Sequence, residues 1–181
     1  MEMHAEEFLK RTSSVIAIGA FDGVHQGHQA VIKEAVNRAK ILGVPSLVYT
    51  FDPPPRSYFQ GVSILTTVKE KLVLLEELGV DHVVIARFDE FYTMRRPSDF
   101  IEDLKRFNPL EIIVGNDFRF GGNREGNIQL LEQNFQVRVK RPICCSKGQV
   151  ISSTRIRQLI SQGDFQQSFS LLGRLPSGLK I

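Results

Sequence analysis

Short apolar runs alternate with longer segments whose apolar residues recur at helical spacing, and this alternation constrains the fold more than any other feature of the chain. Residues 14–18 (SVIAI) form a run too short for a helix and read as a buried strand. Residues 26–42 then place Val31, Ile32, Ala35, Val36 and Ala39 on one helical face, with Gly43 just beyond. The pattern continues with strands at 46–51, 83–86, 111–114 and 136–140, and helices at 69–78, 97–107, 127–133, 154–161 and 165–172. Pro97 suits a first helical turn, and Gly79 and Gly163 follow helix ends. Strands separated by helices are joined by right-handed crossovers, so the expected class is α/β: a three-layer Rossmann-like sandwich with a mostly parallel sheet. No repeat, low-complexity tract or linker interrupts the pattern, and residues 1–181 read as a single domain. Residues 52–63, with Pro53, Pro54 and Pro55 in succession, lack periodicity for longest and read as a binding loop or lid.

Composition narrows the function classes. Hydrophobic residues make up 42% and charged residues 24%, the balance of a globular protein. No stretch approaches the roughly 20 apolar residues that span a bilayer, so no membrane association is expected. The first residues carry Glu2, Glu6 and Glu7 and no apolar core, unlike a secretory signal. A net charge of +3 without lysine or arginine blocks fits a small anionic ligand better than nucleic acid. Cys144 and Cys145 are adjacent, a spacing of neither a disulfide framework nor a zinc site, and a reducing cytoplasm is the expected location.

Three segments that follow predicted strands or open predicted helices carry the chemistry. In residues 19–28 (GAFDGVHQGH), two of the four histidines stand three apart where a strand turns into a helix. That offset sends the His25 and His28 imidazoles toward the same end, beside free N–H groups and the positive end of the helix, while Gly23 and Gly27 admit phosphate oxygens to the main chain. A polar turn with incidental histidines is the alternative. In residues 115–127 (GNDFRFGGNREGN), glycines, Asp117 and asparagines surround Phe118 and Phe120, a mixture suited to a planar heteroaromatic ligand or else a turn whose phenylalanines pack inward. In residues 151–157 (ISSTRIR), Ser152, Ser153 and Thr154 offer hydroxyls at a helix start with Arg155 and Arg157 behind them, a polyphosphate grip or, for a single serine, an ordinary N-cap. GxxxxGK[ST], GxGxxG, GxSxG and HExxH are all missing.

Taken together these segments resemble the HxGH nucleotidylyltransferase superfamily. GAFDGVHQGHQ, FDPPP, LTTVKEK, GVDHVV, GNDFRFGGNREGN and ISSTRIR follow in the order seen in the adenylyltransferase (FAD synthetase) module of bacterial bifunctional riboflavin kinase/FMN adenylyltransferases, over residues 15–174. The resemblance implies transfer of AMP from ATP to FMN, giving FAD and pyrophosphate, with Mg²⁺ accompanying ATP and its protein ligands unspecified. It implies that His25 and His28 contact ATP phosphates and that Gly19, Phe21, Asp22, Gly23 and Gly27 form the turn around them. Ser152, Ser153 and Thr154 then hold the polyphosphate, and Arg157 assists the departing pyrophosphate. Pro53, Pro55 and Asp117 match flavin-side positions, with Asn116 beside them and Phe118 and Phe120 as walls of the same pocket. Ala20 stands where the family commonly has a polar residue. A riboflavin kinase domain is expected to be absent, and riboflavin phosphorylation with it. The competing readings are a nucleotidylyltransferase for another phosphorylated acceptor and a noncatalytic flavin- or nucleotide-binding module.

Overall fold

The computed structural model describes residues 12–174, so the segment bearing Glu2, Glu6 and Glu7 lies outside the described residues. Five strands, β1 (Ser14–Ile18), β2 (Ser46–Asp52), β3 (His82–Arg87), β4 (Pro109–Gly115) and β5 (Val137–Lys140), form one parallel sheet in the order β3-β2-β1-β4-β5. Val15 pairs in register with Ser46 of β2 on one side and Glu111 of β4 on the other. The chain winds outward from β1 to β3, then returns to β1's free side with β4. That reversal makes the gap beyond the carboxyl ends of β1 and β4 the topological switch point, the usual ligand crevice of an open α/β sheet.

Alternation along the strands divides the core. Ile16, Ile18, Leu47, Tyr49, Phe51, Ile112 and Val114 face one way, against Phe100, Ile101 and Leu104 of α5 (Pro97–Lys105) and Leu131 of α6 (Ile128–Glu132). Val15, Ala17, Val48 and Ile113 face the other, against α1 (Gln26–Leu42) and Leu75 of α3 (Val68–Glu77). α1 buries Val31, Ile32, Ala35, Val36 and Ala39, the face its spacing predicts, and ends on Gly43 at φ 67°, whose N–H closes onto the Ala39 and Lys40 carbonyls. α3 opens with a capping box in which Thr67 and Glu70 satisfy each other's backbone N–H groups.

Two further helices, α7 (Ser153–Ser161) and α8 (Phe165–Leu172), bury Ile156, Leu159, Leu171 and Leu172 in a third cluster with Ile151. α8 is tied to the start of α1, where the Gln26 and Gln29 side chains donate to the Ser170 and Leu172 backbone carbonyls at 2.8 and 3.1 Å. Two short helices escape the periodicity of the sequence because one turn cannot display a period. α2 (Pro55–Gln60) sits within the proline-rich segment, with Pro55 in its first turn and no buried residue. α4 (Glu90–Thr93) is set by Asp89, whose carboxylate accepts from the Tyr92 N–H at 3.0 Å.

Candidate functional site

The turn between β1 and α1 is held in a conformation that its residues would not adopt alone. Gly23 has φ +85°, but Phe21 and Val24 also lie at positive φ, 47° and 40°. For a β-branched residue such as Val24 this is a genuine outlier, costing on the order of 1–3 kcal/mol, and it persists only where the surroundings over-determine it. The surroundings here do. The Asp22 carboxylate, 3% exposed, accepts the Leu65 and Thr66 N–H groups at 2.9 and 3.2 Å and pairs with the Arg157 guanidinium. Ser153 Oγ donates to the Asp22 carbonyl at 2.8 Å, Gly23 N–H donates to Thr66 Oγ1 at 2.9 Å, and Arg174 donates to the Gly23 carbonyl at 2.9 Å. Segments far apart in sequence thus converge on one turn.

The histidines meet as their spacing predicts. His25 caps α1, its Nδ1 accepting from the His28 N–H at 3.3 Å, and the two rings stack at 3.6 Å with 19° between planes. Phe21, 2% exposed, meets the His28 ring edge-on at 5.4 Å, so it supports the pair from beneath. Gly27 makes room for the stack, since a Cβ there would lie 3.1 Å from His25 Cε1. Gly19 donates its N–H to the Tyr49 carbonyl at 3.1 Å, fixing the exit from β1. Burial lowers the His25 pKa from 6.5 to about 4. The pKa of His28 falls well below its usual value, first through burial and then through the like charges of His25 and Lys71. Both rings are neutral at pH 7, and His28 Nδ1 is buried without a hydrogen-bond partner among the described residues.

Lys71 is the group that sequence reasoning passed over. It is 3% exposed, and its ammonium donates to the Ala20 carbonyl at 2.9 Å, Thr50 Oγ1 at 3.3 Å and the Phe51 carbonyl at 3.4 Å, at the carboxyl ends of β1 and β2. Burial lowers its pKa, opposed by Asp22 and Asp52. The available signal was a lysine four residues before Leu75 on the apolar face of α3. Ala20 takes part through its carbonyl, which also accepts from Thr50 Oγ1 at 3.0 Å, so its position needs no polar side chain.

The hydroxyl segment divides its labour. Ser152 caps α7, accepting from the Arg155 N–H at 3.3 Å; Ser153 ties to Asp22; Thr154 Oγ1 accepts from the Arg56 guanidinium. The two arginines behind it diverge rather than forming a fork: Arg157 reaches Asp22 and the Ser63 carbonyl, whereas Arg155 donates to Cys145 Sγ at 3.2 Å. Ile151 O lies 3.6 Å from where a Gly27 Cβ would be, which brings the start of α7 against the histidine turn.

Flavin-side candidates flank this centre. Pro53 and Pro55 follow β2, and the 115–127 loop follows β4, each strand a neighbour of β1. Asn116 and Asp117 are exposed. Phe118 is half-buried and stacks on Phe120 at 5.6 Å, but Phe120 is only 7% exposed and packs on Phe100 at 5.1 Å. The inward-packing alternative therefore holds for Phe120, which anchors the loop in the core.

Residues 7–155 match the FAD synthetase family. This chain belongs to that family. A Geobacillus thermodenitrificans protein, provisionally named a bifunctional riboflavin kinase/FMN adenylyltransferase, is 56% identical over 174 residues, covering 96% of this chain and 97% of that one. The Escherichia coli K12 bifunctional riboflavin kinase/FMN adenylyltransferase is 37% identical over 169 residues, 88% of this chain but 54% of its own length. The chain thus spans about half of that longer relative. Among solved structures, a Streptococcus pneumoniae protein named a macrolide-efflux protein superposes with a TM-score of 0.81 at 28% identity, over 91% of this chain and 66% of that one. The pantoate-beta-alanine ligase of Francisella tularensis, at 17% identity and a TM-score of 0.52 over 90% of this chain and 77% of its own, shares the fold.

Proposed function

We propose that the chain transfers the AMP moiety of ATP to FMN, yielding FAD and pyrophosphate. The observation that carries this reading is the convergence of the stacked His25–His28 pair, the start of α7 and three cationic side chains, Lys71, Arg157 and Arg174, on the Asp22 turn. A triphosphate there meets two helix N-termini, two imidazoles and an excess of positive charge. The strand order sets the FDPPP and GNDFRFGG segments on either side, where an acceptor would lie.

In this reaction a phosphate oxygen of FMN attacks the α-phosphorus. The new oxygen–phosphorus bond forms as the bond from the α-phosphorus to the α,β-bridging oxygen breaks, and pyrophosphate leaves with that electron pair. FMN phosphate is already an anion near neutral pH, so no protein base is needed; the protein orients the substrates and offsets their charge. His25 and His28 present ring N–H donors to the phosphates, and the N–H groups opening α1 and α7 face the same charge. Arg157 acts first on the protein: it holds Asp22 and the Ser63 carbonyl, keeping the turn in its strained shape, and its remaining N–H groups are those available to pyrophosphate. Mg²⁺ accompanying ATP would be held through the phosphates and would offset their charge; among the described residues no three His, Cys, Asp or Glu side chains come together to hold an ion. Asn116, Asp117 and Phe118 contact the flavin. The described helices include none long and apolar enough to cross a membrane, and we place the reaction in the cytoplasm.

Incubating the protein with FMN, ATP and Mg²⁺ and separating the products by chromatography tests this directly. FAD and pyrophosphate are expected in equal amounts. Turnover of phosphopantetheine or nicotinamide mononucleotide with none of FMN would overturn the assignment.

A further inference from the structure

Arg56 has a place in the fold that the assignments above leave unused. It lies in the first turn of α2, directly after Pro53 and Pro55 on the acceptor side, yet its guanidinium donates to Thr154 Oγ1 at the start of α7, on the ATP side. Its only other bond among the described residues is from Nε to Gln60 Oε1 at 2.9 Å. Arg38 and Arg138 pair with Glu111, Arg95 with Asp103 and Arg157 with Asp22, but Arg56 has no carboxylate partner among the described residues. A guanidinium carries five N–H donors, and Arg56 is exposed, so most of its capacity faces solvent. One residue on, Ser57 Oγ is buried without a hydrogen-bond partner among the described residues.

An acceptor phosphate about to attack the α-phosphorus must lie where the acceptor side and the ATP side touch. Arg56–Thr154 is a point where those two segments touch, and the cation in it belongs to the acceptor side. A neutral threonine hydroxyl is a weak partner for a guanidinium, whereas a phosphate monoester matches its planar fork with two oxygens and keeps a third for attack. We propose that Arg56 recognises the phosphate monoester of the flavin acceptor and thereby selects FMN over riboflavin, an inference that rests on the adenylyltransferase reading above. Arg56 is a specificity-determining residue in this role; it takes no part in bond making.

The test compares the unaltered protein with Arg56→Ala and Arg56→Lys. FMN and riboflavin are titrated separately, without ATP, by flavin fluorescence, and KM for FMN and for ATP is measured in turnover. The unaltered protein should bind FMN at least tenfold more tightly than riboflavin. Arg56→Ala should lose about tenfold in FMN affinity and show a KM for FMN raised about tenfold, with riboflavin affinity and melting temperature unchanged. Arg56→Lys, which keeps the charge but not the fork, should recover part of the loss. Unchanged FMN affinity in Arg56→Ala, equal weakening of both flavins, or a rise in KM for ATP as large as that for FMN would overturn the proposal, the last by showing that Arg56 only positions Thr154. Preferential FMN binding that depends on Arg56 in a protein that makes no FAD would keep this site and discard the reaction.

Discussion

The turn after β1 and the loop after β4 leave neighbouring strands at the same end of the sheet, and both are rich in glycine, yet they are built in opposite ways. Asp22 and His25 of the first are 3% and 5% exposed, Asp22 is bound by Leu65, Thr66 and two residues of α7, Gly23 by Arg174, and Val24 is held against its own backbone preference. In the second, Phe120 is sunk in the core while Asn116 and Asp117 are exposed. Under the proposed function, the difference is one between a preformed subsite and an anchored but open one. Donors already aimed at phosphate need little reorganisation when charge arrives, whereas exposed polar ends on an anchored loop are oriented by the ligand itself.

The sharpest way to break this contrast is Asp22→Ala. It strands the Arg157 charge and the Leu65 and Thr66 N–H groups, and should cost about 3–5 kcal/mol in urea unfolding and abolish turnover. A variant unfolding within 1 kcal/mol of the parent would show that the turn is not held through Asp22. Next, His28→Ala should lower turnover about a hundredfold, about 3 kcal/mol in the barrier. The fold should stay intact, since Nδ1 gives up no hydrogen bond and the loss is limited to the ring contacts with His25 and Phe21; near-normal turnover removes His28 from the phosphate site.

Acid should act on the first region alone. His25 has a folded pKa of about 4 against 6.5 for the free side chain, so above pH 6.5 it is neutral in both states. As pH falls, the unfolded chain takes up the proton first and stability is lost, by about 2 kcal/mol between pH 7 and pH 5 from His25, with His28 acting in the same direction. Urea midpoints across that range should fall in the parent and flatten in a His25→Gln, His28→Gln variant; parallel slopes would refute neutral burial. The smallest expected effect belongs to the open loop. Asp117→Ala should raise KM for FMN about tenfold, leaving KM for ATP and the melting temperature unchanged. An effect confined to ATP would reassign the loop.

Much of this was legible along the chain. The strands and longer helices fall within a few residues of where periodicity puts them, because a half-buried helix or a buried strand records its environment in its own spacing. The His25–His28 stack followed from a three-residue offset on α1. The divergence of Arg155 from Arg157 suits side chains two apart on a helix, which do not face each other, but the partners each finds, Cys145 and Asp22, were not legible. Lys71 was missed for a related reason: its acceptors are the Ala20 and Phe51 carbonyls and the Thr50 hydroxyl, on strand ends that only the assembled sheet brings beneath α3.

By itself, then, the amino-acid order determined the elements, the α/β class and the residue types fit for phosphate, all of which depend on spacings of a few residues. Tertiary structure decided which loops became neighbours, that Phe120 would anchor rather than line, and that Val24 would sit at φ 40°. Those outcomes rest on contacts between segments tens of residues apart, whose combined burial and hydrogen bonding override local preference, and no local pattern encodes that sum.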